Sequence, residues 1–127
     1  ILVVDDEENV RAVAKRMLES LGYDVLCAPD GLKGLELFKQ NAETISAVIL
    51  DIAMPHLSGE ETFRELRRIK KDLRIIMSSG YNAQEVITRF SGRDLNGFIQ
   101  KPYSLDDLSL ALQNALNPEA QAGRALN

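Results

Sequence analysis

Residues 47–51 read AVILD, four apolar residues in succession that end in an aspartate. Residues 1–6 read ILVVDD, a second run of the same kind that ends in two aspartates. Neither run alternates polar with apolar residues, as a strand with one solvent-exposed face would. Both runs therefore predict strands of a parallel sheet that is covered on both faces, with acidic residues where the strands end.

Three further apolar runs predict three more strands, at Tyr23–Cys27, Arg74–Met77 and Gly97–Ile99. Between and after the runs, apolar residues recur every three or four positions, which predicts five amphipathic helices. The residues that define these helices, from the first to the fifth, are Val10, Val13, Ala14, Met17, Leu18 and Leu21; Leu32, Leu35 and Phe38; Phe63, Leu66 and Ile69; Val86, Ile87 and Phe90; and Leu105, Leu108, Leu112 and Leu116.

Signals at the predicted helix ends agree with this pattern. A capping side chain precedes an acidic one by three residues at three places. These pairs are Ser58 with Glu61, Asn82 with Glu85, and Ser104 with Asp107. Gly22 is expected to end the first helix, and Asn117 with Pro118 the fifth. Residues 1–116 are thus expected to form one folded domain, and residues 117–127 a mobile tail.

The alternation of strands and helices predicts an α/β fold of the doubly wound, flavodoxin-like kind, with five parallel strands and helices on both faces. The common strand order for five strands is 2-1-3-4-5, and ligands bind beyond the carboxyl ends of the strands. The side chains expected at that edge are Asp5, Asp6, Asp51, Ser79 and Lys101.

Composition limits the class of protein. The 127 residues, 45% hydrophobic and 27% charged, suit one ordinary globular domain. The net charge of −4 and the short basic run Arg67–Lys71, interpreted as a solvated helix end, argue against direct nucleic-acid binding. No apolar stretch approaches the roughly 20 residues that span a bilayer. The single cysteine, Cys27, favours a reducing, cytoplasmic setting, and the absence of a starting methionine suggests a piece of a longer chain.

Three neighbouring carboxylates repel one another unless a cation offsets their charge. Oxygen donors from a few side chains suit Mg²⁺, whereas no dense oxygen-rich loop favours calcium. A carboxylate beside Mg²⁺ can attack a phosphoryl group while the metal and a lysine neutralise charge on its oxygens. Asp51 is the best candidate for that nucleophile.

Four motifs carry a resemblance to a known family. They are ILVVDDEE at 1–8, VILDIAMPHLSG at 48–59, MSSGY at 77–81 and QKPY at 100–103. In this order and spacing they resemble the receiver domain of two-component response regulators and hybrid sensor histidine kinases, over residues 1 to about 116. The resemblance implies a phosphorelay domain, not itself an enzyme, in which Asp51 accepts a phosphoryl group from a phosphohistidine of a histidine kinase.

The same resemblance implies a role for each site residue. Asp6 would ligate Mg²⁺ directly, Asp5 would assist, often through water, and the backbone carbonyl of Ala53 would supply another ligand. Ser79 would hydrogen-bond the phosphoryl group and Lys101 would pair with it. The Lys101–Pro102 peptide is expected to be cis.

A conformational switch is also implied. Phosphorylation would draw Ser79 inward and turn Phe98, at the family's aromatic switch position, toward the interior. The face built from the fourth helix, the fifth strand and the fifth helix would then change for an output domain or partner. The chain departs from the family's usual threonine at Ser79 and from its frequent tyrosine at Phe98. Ala53 and Tyr81 occupy the positions that in the family modulate access of hydrolytic water to the phosphoryl group. The segments SSGYN and FIQKPY resemble receivers of hybrid kinases.

Simpler interpretations remain for individual residues. Asp5 and Asp6 could cap a helix, Ser79 could be a turn residue, and Phe98 could be a fixed core aromatic. His56 is interpreted as exposed and without function.

Three other functions compete with the receiver interpretation. A metal-dependent aspartyl-phosphate phosphatase needs a second aspartate where Ala53 stands. A receiver that binds partners without phosphorylation is disfavoured by Asp6, Asp51 and Lys101. A nucleotide-binding protein of flavodoxin type lacks the glycine-rich phosphate loop.

Overall fold

The computed structural model describes residues 1–52, 58–80 and 96–117, and strands and helices alternate within them. The elements are β1 (Leu2–Val4), α1 (Glu8–Ser20), β2 (Leu26–Ala28), α2 (Gly31–Gln40), β3 (Ala47–Asp51), α3 (Gly59–Ile69), β4 (Arg74–Ser79), β5 (Gly97–Gln100) and α4 (Leu105–Leu116). These described ranges hold four helices, and α4 is the one predicted as the fifth. The helix predicted around Val86, Ile87 and Phe90, with its cap at Asn82 and Glu85, lies outside them.

The five strands form one parallel sheet in the order β2-β1-β3-β4-β5, which confirms the predicted topology. Leu2 of β1 pairs with a residue of β2 on one side and of β3 on the other. Asp51 of β3 is in register with Ser78 of β4, which is in register with Ile99 of β5. The carboxyl ends of these strands therefore reach the same edge of the sheet.

Two apolar clusters cover the two faces of the sheet, as the uninterrupted apolar runs predicted. One cluster joins every second residue of the strands to α2 and α3. It includes Leu2, Val4, Phe38, Val48, Leu50, Phe63, Leu66, Ile75 and Met77. The other joins the alternate strand residues to α1 and α4, and includes Val3, Ala14, Leu18, Ile49, Ile76, Ile99, Leu108 and Leu112. Each fully buried aliphatic side chain contributes roughly 1.5–3 kcal/mol, so the strands are held by both layers.

The predicted helix ends at Ser58, Ser104 and Gly22 are confirmed. Ser58 and Ser104 each form a capping box with the acidic residue three positions on. Gly22 follows α1 with φ +96°, and the N–H of Tyr23 donates to the carbonyl of Leu18 at 3.0 Å. This left-handed residue after the helix is the usual glycine position in such an ending. Asn117 follows α4 directly, also as predicted.

The second strand is shorter and later than the predicted Tyr23–Cys27. The backbone of Tyr23 is used to close α1, and the carbonyl of Asp24 accepts a hydrogen bond from the amino terminus of Ile1 at 2.8 Å. Pairing with β1 therefore begins only at Leu26.

Some residues assigned to apolar helix faces are exposed. Those with large exposed side chains are Val13, Leu21, Leu32, Ile69 and Leu105. All except Val13 lie at or next to a helix end, where the helical periodicity continues but packing against the sheet does not.

Arg67 is not the solvated helix-end residue that the sequence suggested. Its guanidinium donates to the carbonyls of Lys71, at 2.8 Å, and of Leu73. It also reaches the side chain of Asn96 at 3.3 Å, and the same Asn96 oxygen accepts from the N–H of Ile75 at 2.8 Å. Arg67 thereby ties the turn after α3 to the start of β5.

Two observations concern the expectations of a reducing setting and of no membrane-spanning segment. Cys27 is a half-buried free thiol whose pKa is raised by burial. None of the helices that the structure describes is long and apolar enough to cross a membrane.

A close backbone approach sets where α3 begins relative to β3. The N–H of Gly59 donates to the carbonyl of Ile52 at 3.0 Å. A Cβ added at Gly59 would contact the carbonyl oxygen of Asp51 and lie 2.5 Å from the Cα of Ile52. Both are backbone atoms, which cannot move aside as a flexible side chain could.

We expect Gly59→Ala to lower the free energy of unfolding by about 2 kcal/mol or more, because overpacking against backbone forces α3 away from β3. The matched control is Gly97→Ala, whose Cβ would meet, among the described residues, the side chain of Ile76 alone, at 3.5 Å. That control should change stability by less than about 1 kcal/mol. Urea unfolding followed by circular dichroism measures both, and equal losses would contradict this account of the α3 contact.

Candidate functional site

Charged side chains from three strands meet at the carboxyl edge of the sheet. Asp5 and Asp6 follow β1, Asp51 ends β3 and Lys101 follows β5. One carboxylate oxygen from each of the three aspartates lies within 4.8 Å of those from the other two. Lys101 Nζ lies 2.8 Å from Asp5 Oδ2 and 3.2 Å from Asp51 Oδ2. The strand order therefore brings together the four charged residues that the sequence placed at this edge.

Asp5 is the most constrained of the acidic residues, with 2% of its surface exposed. One carboxylate oxygen accepts from the N–H of Glu7 at 2.9 Å, and the other binds Lys101. Its backbone N–H donates to Ala28, and its carbonyl accepts from Arg11 Nη1 at 2.7 Å. Asp5 therefore holds Lys101 in place and orients the turn that leads into α1.

Asp51 and Asp6 differ in their access to solvent. Asp51 is 3% exposed, whereas Asp6 is an exposed residue. Both line an open cleft of about 770 Å³ whose walls include Val10 and Val13 of α1 and Pro102 and Tyr103 after β5. The buried carboxylate is thus reached from outside through this cleft.

The surroundings of Asp51 and Lys101 raise the pKa of both groups. Burial raises the pKa of Asp51 to about 7; the Asp5 carboxylate adds to that rise and Lys101 opposes it. Burial disfavours the charge on Lys101, but the hydrogen bond to Asp5 and the charge of Asp51 outweigh it and raise the Lys101 pKa to about 12. At neutral pH Lys101 is charged, while Asp51 is partly protonated unless a further cation is present.

The donor set fits a hard divalent cation. Three aspartate carboxylates cluster within the part of the site that the structure describes, and Lys101 contacts two of them, so negative charge is in excess. Oxygen donors of this kind, with room for water in the cleft, suit Mg²⁺. Ala53, whose carbonyl the resemblance adds to the ligands, lies outside the described residues, as do Tyr81 and His56.

Ser79 and Phe98 occupy two different surroundings. Ser79 ends β4, is 1% exposed and lines the cleft. Its carbonyl accepts from the N–H of Lys101 at 2.7 Å, and the Lys101–Pro102 peptide is cis as expected. Phe98 of β5 is half-buried and packs against the α2 and α3 cluster.

Two residues of the site were absent from the sequence candidates. Glu7 lies with a carboxylate oxygen 3.6 Å from Lys101 Nζ. Tyr103 lines the cleft, and burial, together with the Asp5 carboxylate, raises the pKa of its phenol to about 12. The motifs DDEE and KPY contained both residues, but only the fold shows that they border the cleft.

Comparisons with known proteins agree with this geometry. A family model described as the response regulator receiver domain matches residues 1–113. The sensor kinase CckA of Brucella abortus is 34% identical over 120 residues, 94% of this chain and 13% of that protein. The response regulator MprA of a Mycobacterium species is 39% identical over 118 residues, 91% of this chain and 49% of that protein. The chain spans less than half the length of either relative.

A solved structure is similar over nearly the whole chain. It is a response regulator receiver domain protein from Clostridium thermocellum, with a TM-score of 0.85 and 32% sequence identity. The similarity covers 95% of this chain and 96% of that one.

The raised pKa of Asp51 predicts a pH-dependent stability for the metal-free domain. The folded state binds the Asp51 proton more tightly than the unfolded state does. The favourable contribution of this proton to the free energy of unfolding is therefore complete below about pH 4. It is then lost as the pH rises toward about 7. Asp51→Asn removes the loss, so at pH 8 the variant should be more stable than wild type by roughly 1–3 kcal/mol.

Urea unfolding in a chelating buffer between pH 4 and pH 8 would measure this difference. The control is Asp72→Asn, an exposed aspartate in the turn before β4, which should differ little from wild type across the range. A gap between Asp51→Asn and wild type that does not widen with pH would show the assignment to be wrong.

Proposed function

Because the chain belongs to the response regulator receiver domain family, we propose that Asp51 is its phosphoacceptor and takes a phosphoryl group from a phosphohistidine of a histidine kinase. One observation carries the proposal. The carboxylate of Asp51 ends a buried strand, faces an open cleft, and lies beside two further carboxylates and Lys101. That arrangement supplies a nucleophile and the charge compensation that phosphoryl transfer needs.

The transfer forms one bond and breaks another. A carboxylate oxygen of Asp51 attacks phosphorus as the bond from phosphorus to the donor's ring nitrogen breaks. The electron pair of that bond stays on the nitrogen, and the ring, protonated on its other nitrogen, leaves as neutral imidazole. Lys101, 3.2 Å from Asp51 Oδ2, is placed to pair with the negative oxygens of the product.

We propose that Asp6 and Asp51 hold Mg²⁺ directly and that Asp5 contacts it through water, with the Ala53 carbonyl as a further ligand. When bound, the ion offsets the charge of the carboxylates and of the phosphoryl oxygens, which keeps Asp51 ionised and nucleophilic. Both oxygens of Asp5 already have partners in Glu7 and Lys101, which favours its indirect role.

The rival functions receive less support. A phosphatase of the aspartyl-phosphate type needs an acid and base two residues after the nucleophile, and alanine stands at that position. A receiver that works without phosphorylation has no need to keep Asp6, Asp51 and Lys101 together. The site is therefore better suited to hold a phosphoryl group than to turn over a substrate.

Phosphorylation of Asp51 can be tested with phosphoramidate, a small donor that has the same phosphorus–nitrogen bond as phosphohistidine. With Mg²⁺ present, wild type should gain the mass of one phosphoryl group and Asp51→Asn should gain none, as measured by intact-protein mass spectrometry. Lys101→Met, which keeps the nucleophile but removes its cation, should be phosphorylated more slowly. Phosphorylated Asp51→Asn would refute the acceptor assignment, and sustained phosphate release from p-nitrophenyl phosphate would favour the phosphatase.

We also propose that Ser79 passes the phosphorylation signal to Phe98. The Ser79 hydroxyl would hydrogen-bond the phosphoryl group from the wall of the same cleft. The backbone hydrogen bond from Lys101 to Ser79 joins the ends of β4 and β5, so a shift of Ser79 reaches the strand that carries Phe98. The face formed by the predicted fourth helix, β5 and α4 would present the change to an output domain or partner.

The Ser79 step can be tested with a phosphoryl mimic. Addition of beryllium fluoride and Mg²⁺ should shift the amide NMR signals of Gly97 and Phe98 in wild type and in Ser79→Thr, which keeps a hydroxyl. Ser79→Ala should bind the mimic at Asp51 but lose most of that shift, because alanine has no hydroxyl that could hydrogen-bond the anion. A full shift in Ser79→Ala would exclude the role.

Several broader assignments rest on resemblance and stay proposals. We propose that the parent chain is a hybrid sensor kinase. The similarity to CckA and the sequence segments SSGYN and FIQKPY support this proposal. The similarity to MprA supports a separate response regulator as the second candidate. A cytoplasmic location and a folded unit of residues 1–116 belong to the same proposal.

A further inference from the structure

Glu7 stands at the start of α1 but does not cap it. Its backbone is extended, as at the N-cap position, yet its side chain makes no capping hydrogen bond. Residues at this position usually accept a backbone N–H with their side chain. The Glu7 carboxylate instead lies 3.6 Å from Lys101 Nζ, while the Glu7 N–H is held by Asp5. Its contact with Lys101 is therefore not a consequence of helix capping.

Lys101 lies near three carboxylates, two of them within hydrogen-bond distance of its ammonium group and the third, that of Glu7, in a longer ion pair. Asp5, Asp51 and Glu7 lie 2.8, 3.2 and 3.6 Å from Nζ. A phosphoryl group on Asp51 brings new oxygen acceptors that need one of these donors. In the described part of the site, Asp5 and Asp51 lie within hydrogen-bond distance of the ammonium group, so a phosphoryl oxygen competes with the Glu7 carboxylate for its third N–H.

Glu7 is the partner that can leave at the smallest cost. Asp5 is buried and held by a second hydrogen bond, and Asp51 itself carries the incoming group. The Glu7 side chain is 62% exposed and is the farthest of the three from Nζ, so water can replace Lys101 as its partner.

Resting on the proposed function, we propose that Glu7 occupies the position on Lys101 that a phosphoryl oxygen takes, and so sets how readily the site accepts an anionic phosphoryl group. The contact with Lys101 has to be broken, and the displaced carboxylate still stands at the cleft beside the anion. Both effects oppose phosphorylation. Exposed ion pairs contribute up to about 1 kcal/mol, and about 0.4–1 kcal/mol corresponds to about a two- to fivefold effect.

The experiment compares Glu7→Gln with Glu8→Gln in the same chain. Glu8 is the next residue, is exposed in the first turn of α1, and its replacement removes the same charge. Beryllium fluoride is titrated with Mg²⁺ present and followed by NMR, and phosphorylation by phosphoramidate is timed by mass spectrometry. We expect Glu7→Gln to reach half-saturation at a beryllium fluoride concentration about two- to fivefold lower than wild type. Its phosphorylation by phosphoramidate should be faster by a similar factor. Glu8→Gln should match wild type, and the difference should shrink as salt is raised.

Three outcomes would overturn the inference or its premise. Equal behaviour of the two variants would remove the role of Glu7 but leave the receiver function intact. Weaker Mg²⁺ binding by Glu7→Gln, titrated without any phosphoryl mimic, would make Glu7 a metal ligand instead. Failure of wild type to take either beryllium fluoride or a phosphoryl group would defeat the proposed function itself. Thermal unfolding of the metal-free proteins checks that both variants are folded equally well.

Discussion

The contact of Lys101 with the buried carboxylates of Asp5 and Asp51 is the interaction on which the site depends. Removing charges from water costs several kcal/mol for each ion, and two neighbouring carboxylates add repulsion to that cost. Lys101 offsets much of it, at 2.8 and 3.2 Å. The remaining imbalance appears as the pKa of about 7 at Asp51. A site left short of positive charge in this way favours the binding of a further cation.

The acidic half of this interaction, Asp5 and Asp51, and the basic half, Lys101, follow strands that occupy different positions in the sheet. Asp5 and Asp51 follow β1 and β3, which lie inside the sheet, and Gly59 lets α3 start directly against the end of β3. Lys101 follows β5, which pairs with β4 alone in the described sheet. The acidic half therefore follows strands that are paired on both sides, whereas the basic half follows a strand that is paired on one side in the described sheet. The switch proposed to act through β5 would use the strand that has one paired edge in the described sheet.

Four consecutive acidic residues in DDEE have four different surroundings. Asp5 is buried and binds Lys101, Asp6 is exposed to the cleft, Glu7 reaches Lys101 from outside, and Glu8 begins α1. The chain turns from strand to helix within these residues, so successive side chains point in different directions. One short acidic motif can thus provide an anchor, a candidate metal ligand and a competitor for the lysine.

The sequence by itself determined the alternation of strands and helices and the helix ends at Gly22, Ser58 and Ser104, because apolar periodicity and capping are local properties of the chain. The strand order, and with it the meeting of Asp5, Asp6, Asp51 and Lys101, was predicted from the order common to doubly wound sheets of five strands. The parallel topology then converts strand ends into neighbours. Only the tertiary structure decided where β2 begins, which carbonyls Arg67 binds, and that Glu7 contacts Lys101. These features depend on distances between residues remote in the chain, and no local pattern of residue types encodes such distances.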